Sequence, residues 1–158
     1  MVARITVRQS TEADVPDLVR LRRIMFEDMG YNDPAQLDRA DAAAAAYFAI
    51  PAGEFYGWLA LISGGEAVGS GGVVFDQRPP GPDNLSGRIG HIMNLVTVPC
   101  YRRQGIARRL MQAILAWLAG QGVHCVTLHA TRAGRPLYEE LGFAAGNEMK
   151  LDLAQGLE

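Results

Sequence analysis

The spacing of apolar positions changes period several times along the chain, and each change marks an element. Residues 4–8 (Arg-Ile-Thr-Val-Arg) alternate polar and apolar, as a half-buried strand does. Val15, Leu18, Leu21, Met25 and Met29 then recur at helical spacing, with Asp14 as the predicted N-cap, Pro16 in the first turn and Gly30 past the end. A second helix is predicted over about 35–48, including the alanine run 42–46. Residues 55–62 and 67–75 read as strands joined by Ser63-Gly64-Gly65-Glu66, a hairpin signal. Proline and glycine mark 76–90 as one long loop. A strand over 91–98 stops at Pro99, and a helix over about 106–120 presents Leu110, Ile114, Leu115 and Leu118 on one face. A strand over 123–129, a helix over about 134–141 and a last alternating strand over 148–153 complete the chain. This order, β-α-α-β-β-β-α-β-α-β, predicts a mixed-sheet α/β domain, with a right-handed βαβ unit over 91–129.

Composition narrows the class. At 158 residues the chain is read as a single domain over 1–158, roughly 150 residues being typical of one. Hydrophobic content of 49% with a net charge of −2 excludes disorder as the main state. No apolar run reaches the roughly 18 residues of a membrane span, so no membrane partner is expected. The opening Met1-Val2-Ala3-Arg4 lacks a signal-peptide core, and the expected location is the cytoplasm. Cys100 and Cys125 form no C-x-x-C and no zinc-spaced cluster with the three histidines, so no metal is expected.

Charge changes the picture only locally. Among 15 cationic residues only Lys150 is a lysine, and Arg102, Arg103, Arg108 and Arg109 fall within one stretch that contains no acid. The wide basic face of a nucleic-acid binder is missing, and no nucleic-acid partner is expected. A small anionic ligand fits better. Gly105 allows close backbone approach, and the helix starting there leaves its first N–H groups unpaired at the positive end of its dipole. Together these favour a phosphate. Neither G-x-x-x-x-G-K-[ST] nor G-x-G-x-x-G after a strand occurs, which removes most support for NTPase and dinucleotide-dehydrogenase readings.

The segment Arg102-Arg103-Gln104-Gly105-Ile106-Ala107 fits the pattern [QR]-x-x-G-x-[GA], with Pro99 and Tyr101 before it and an amphipathic helix after. Downstream, Leu137-Tyr138-Glu139-Glu140-Leu141-Gly142-Phe143 completes L-Y-x-x-x-G-F. In these motifs and in element order over almost its whole length, the chain resembles the GNAT superfamily of acyl-CoA-dependent N-acyltransferases. The resemblance implies an α/β fold with a mixed, mostly antiparallel twisted sheet flanked by helices, whose βαβ unit forms the CoA site. It implies acetyl-CoA as acyl donor and direct transfer of the acetyl group to a primary amine, with a small-molecule amine as the leading acceptor. Homodimers are common among such proteins.

The same resemblance assigns the CoA pyrophosphate to the backbone N–H groups of Arg103, Gln104, Gly105, Ile106, Ala107 and Arg108, with Arg102 opening the motif. Leu95, Val96 and Thr97 hold the strand positions that face the pantetheine arm and acyl carbonyl, Thr97 replacing the usual valine. Tyr138 is the candidate acid for the departing thiolate, being protonated at neutral pH. The strand after the CoA-binding helix ends Thr127-Leu128-His129 without the glutamate that many relatives use as base, which leaves His129 and His91 as candidates. Glu27 and Asp28 border the region where such proteins bind acceptors. Thr131 stands where an asparagine is common, and nearby Arg132 and Arg135 are within reach of the phosphates in sequence terms. Acetylation of protein N-termini or lysines, and a non-catalytic acyl-CoA-binding module, remain as alternative readings.

Overall fold

Alternation within the central strands builds two cores, one on each face of a sheet. The computed structural model describes residues 4–50 and 55–154; Met1–Ala3, in the segment read for a signal peptide, lie outside them. Strands β1 (Thr6–Gln9), β2 (Tyr56–Leu61), β3 (Ala67–Gln77) and β4 (Arg88–Thr97) pair in chain order, each antiparallel to the next. Strand β5 (Cys125–Leu128) joins β4 in parallel through helix α3 (Ile106–Gly120). Helices α1 (Val15–Asp28) and α2 (Pro34–Phe48) lie between β1 and β2 in sequence, and the short α4 (Arg135–Glu140) follows β5. No helix among the described residues is long and apolar enough to cross a membrane.

The period of two sorts the side chains. Trp58 and Ala60 of β2 pack on the α3 side with Ile106, Leu110, Met111, Ile114 and Leu118, while Leu59 packs on the α1 side with Leu18 and Leu21. The run Gly71-Gly72 in β3 lets these layers close. A Cβ on Gly71 would come 2.8 Å from Ile114, and one on Gly72 2.2 Å from Phe55.

Three local expectations change. The loop predicted over 76–90 is shorter, because the β3–β4 ladder continues to the pair Gln77–Arg88. Cooperative pairing carries both strands past the point where turn composition begins. Asp14 precedes α1 as predicted, but its carboxylate does not cap that helix. It turns back to accept Arg8 Nη1 at 2.7 Å, Arg8 Nη2 at 3.0 Å and the Thr11 N–H at 2.7 Å. The strand predicted over 148–153 does not form. Among the described residues, 144–153 make no backbone hydrogen bond to any sheet edge, and alternation that is not paired makes no strand.

The Arg8 guanidinium holds the Asp14 carboxyl down at about 2, against an ordinary value of about 3.8. Its stabilising contribution is therefore complete above pH 3.8 and is lost as pH falls through about 2. Asp14→Asn should cost about 1.5–3 kcal/mol, the range for hydrogen bonds to charged groups. Thermal denaturation at pH 7 should show a fall of roughly 2–4 °C per kcal/mol. The gap between variant and parent should close near pH 2.

Candidate active site

The turn after β4 sets up an anion cradle. Pro99 halts the strand and a short 3₁₀ turn, Pro99–Tyr101, leads into the loop. Arg103 (φ +64°) and Gly105 (φ +78°) are both left-handed, which Gly105 adopts freely and Arg103 only with strain. The first carbonyl that α3 uses is Gly105 O, taken by the Arg109 N–H at 3.1 Å. Among the described residues, the N–H groups of Arg103, Gln104, Gly105, Ile106, Ala107 and Arg108 have no protein acceptor. Six consecutive donors at the positive end of the 15-residue helix form a pyrophosphate-sized site.

The four motif arginines do different jobs. Arg102 donates from Nε to Thr97 O at 3.0 Å and pairs with Asp28. Arg108 pairs with Glu140 of α4, and Arg109 reaches back to Ile5 O at 2.6 Å. Among the described residues, only Arg103 of the four makes neither an ion pair nor a side-chain hydrogen bond, leaving its guanidinium available to an anion. The acids absent from the motif itself thus arrive from α1 and α4.

Beside the cradle the sheet parts. β5 pairs with β4 only from Ile89–Cys125 to Ile92–Leu128, so β4 beyond Met93 has a free edge on that side. At the parting point Asn94 is left-handed (φ +57°), and the β3–β4 register slips between Ser70 and Gly72. The Val98 N–H donates to Val68 O at 2.8 Å, so by the strand period Val96 also turns its backbone to β3. Leu95 and Thr97 therefore turn theirs to the free edge, and Arg102 already occupies the Thr97 carbonyl. The Val96 side chain is buried against α1.

Tyr138 closes the far side. It is 8% exposed, lies edge-on to Phe143 at 6.1 Å between ring centroids, and rests on Gly134. A Cβ on Gly134 would come 3.0 Å from the Tyr138 hydroxyl. Burial pushes its phenol above the ordinary value of 10 and keeps it protonated at neutral pH. The hydroxyl has no partner among the described residues, yet no buried side-chain polar atom lacks one, so it reaches the wall of the groove that Tyr138 shares with His129 and β5.

The fold brings the two histidines together. The His91 and His129 rings meet edge-to-face at 5.1 Å, and His91 Nδ1 lies 2.7 Å from Thr127 Oγ1. His91 is the fourth residue of β4 and half-buried, and burial first, then the neighbouring His129, lowers its pKa below 6.5. A base role for neutral His91 predicts a kcat plateau at neutral pH and an acidic limb below about 6.5. His91→Asn should remove that limb; a limb unchanged in the variant would discard His91. Glu27 and Asp28 are exposed at the end of α1, the former 3.5 Å from Arg23 and the latter paired with Arg102. Thr131 Oγ1 accepts the Gly134 N–H ahead of α4, and Arg135 pairs with Glu139 at 3.7 Å.

Arg22, not singled out by sequence, lines a second cavity and meets Asn94 at its edge of the sheet. The cavity lies between α1, α2 and the sheet, measures about 620 Å³, and is walled by Phe26, Tyr47, Phe48, Met93 and the small Ala40, Ala43 and Ala44. Arg22 enters it, donating from Nη1 to Asn94 Oδ1 at 2.6 Å and lying 4.9 Å from the Phe26 ring centroid. Sequence signals existed: an arginine four residues after Leu18 on a buried helix face, and an asparagine flanked by Met93 and Leu95 within a strand, a residue type that tolerates the left-handed region. Among the described residues, no group of three or more His, Cys, Asp or Glu could hold a metal.

Comparison with known proteins places this geometry. Residues 18–143 match the model of the acetyltransferase (GNAT) family. The chain is 32% identical over 91 residues to a glucosamine 6-phosphate N-acetyltransferase of Trypanosoma brucei brucei, a match covering 56% of this chain and 59% of that relative. It superposes on a GCN5-related N-acetyltransferase from Ralstonia eutropha with a TM-score of 0.86 at 28% identity, covering 96% of this chain and 99% of that one. A predicted acetyltransferase from Clostridium acetobutylicum, solved with acetyl-CoA, gives 0.87 at 25% identity over 98% and 100%. The cradle at the start of α3, the parted β4–β5 pair and the family match agree: the chain belongs to the acetyltransferase (GNAT) family.

Proposed function

We propose that the chain is an acetyl-CoA-dependent N-acetyltransferase that acetylates a primary amine of a small molecule. The observation that carries this reading is the run of six unpartnered N–H groups, Arg103 to Arg108, beside the free edge of β4. They would hold the pyrophosphate of acetyl-CoA, with the Arg103 guanidinium alongside. That co-substrate supplies a thioester carbonyl. The Leu95 and Thr97 N–H groups face the strip where its pantetheine arm and acyl oxygen would lie, and fixed donors there stabilise developing negative charge. The amine nitrogen attacks the carbonyl carbon, the C–S bond breaks, and the Tyr138 hydroxyl gives its proton to the sulfur. His91 or His129 takes the proton that the amine loses.

The cavity beside Arg22 favours a small acceptor over a protein chain, since its volume lies in the roughly 300–1,000 Å³ range of small-molecule sites. The trypanosomal relative, a glucosamine 6-phosphate N-acetyltransferase, supports the same class. Cytoplasmic location fits, acetyl-CoA being an intracellular metabolite. Incubation with acetyl-CoA and a panel of small amines should release CoA thiol in an amine-dependent way. Binding of acetyl-CoA with no thiol release on any amine or peptide would instead indicate a non-catalytic module.

A further inference from the structure

We propose that Arg22 selects acceptors that carry an anionic group, a phosphate or a carboxylate, in addition to the reacting amine. This rests on the acetyltransferase reading and names the acceptor class of that site. Adjacent residues of α1 make the contrast. Arg23 points outward and meets three carboxylates: Asp38 and Asp41 at 2.8 Å and Glu27 at 3.5 Å. Arg22 points into the cavity, where it donates to the neutral Asn94 amide oxygen, lies over the face of Phe26 and has the Tyr47 phenol as an electrostatic neighbour. Among the described residues, no carboxylate lies within ion-pair distance of it.

A half-buried guanidinium without a counter-ion costs free energy that an incoming anion recovers. Burial accordingly lowers the Arg22 pKa, though not enough to discharge an arginine. Asn94 takes one of five N–H donors, which leaves the planar fork able to grip a carboxylate or phosphate in bidentate fashion. Position adds to the case. Asn94 is the left-handed residue where β4 parts from β5, so the anion would sit next to the strip that presents Leu95 and Thr97 to the acyl group. The remaining walls, alanines and aromatics, fit a compact body between the two charged ends.

The test uses matched acceptors: glucosamine against glucosamine 6-phosphate, and an α-amino acid against its amide. The expected result is a kcat/KM at least tenfold higher for the anionic member of one pair, which also tells phosphate from carboxylate. Arg22→Gln should bring that ratio near one, and Arg22→Lys should restore part of it. A purely structural Arg22, holding Asn94 in place, would lower both members alike and leave the ratio intact, overturning the proposal. Equal or better use of both neutral amines by the parent chain also overturns it while sparing the acetyltransferase reading. Thiol release with no amine at all overturns both.

Discussion

Replacement of Tyr138 by phenylalanine should lower kcat about a hundredfold and leave the KM for acetyl-CoA within about threefold, at the lower end of the 10²–10⁴ attributed to general acid catalysis. The packing argument is that the ring stays: Phe143 at its edge and Gly134 beneath it touch the aromatic body, which phenylalanine keeps. Only the hydroxyl goes, and among the described residues it has no partner whose loss would disturb the fold. Burial makes the phenol a weaker acid than in water, yet the same surroundings penalise a departing thiolate equally, so the proton still moves toward sulfur. Pre-steady-state acetyl transfer checks this more cleanly than steady-state turnover, because product release then plays no part. An unchanged chemical rate would mean that the thiolate leaves without an acid.

The second large effect concerns the cradle. Gly105→Asp should weaken acetyl-CoA binding about a hundredfold or more, measured by calorimetry. The left-handed φ of +78° strains any side chain, aspartate and asparagine less than most, and a Cβ at Gly105 meets nothing within 4 Å, so the fold should persist. The new carboxylate would stand among the donors that would hold the pyrophosphate, and like charges about 5 Å apart repel by roughly 3 kcal/mol at an effective dielectric near 20. Gly105→Asn is the matched control: same shape, same backbone tolerance, no charge. Its binding loss should be under tenfold, and raised salt should narrow the gap between the two variants. Equal losses for both would show that side-chain bulk, not charge, governs the site.

Both predictions depend on elements whose register the hairpins set. Gly134 belongs to the turn before α4, yet it decides where the Tyr138 ring lies. Asp28 and Glu140, from opposite ends of the chain, neutralise two of the four motif arginines and leave Arg103 exposed to solvent. The charge available to a ligand is therefore a tertiary property. Four arginines in sequence become one unengaged guanidinium and six backbone donors.

Local sequence determined a good deal by itself. Apolar spacing placed α1, α2 and α3 and the central strands, because each buries a face whose period is fixed by its own backbone geometry. Gly105 at the head of α3 and the L-Y-x-x-x-G-F segment pointed to the cradle and to Tyr138, since helix ends and glycine turns are short-range features. What depended on partners was hidden. The strand pattern at 148–153 stayed unpaired, Asp14 found Arg8 rather than its own helix, and the ladder consumed part of the loop predicted at 76–90. The meeting of His91 with His129, and of Arg22 with Asn94, brings together residues 38 and 72 positions apart. Hydrophobic period reports which face a residue occupies; only the packed sheet decides which distant side chain, or which empty cavity, that face meets.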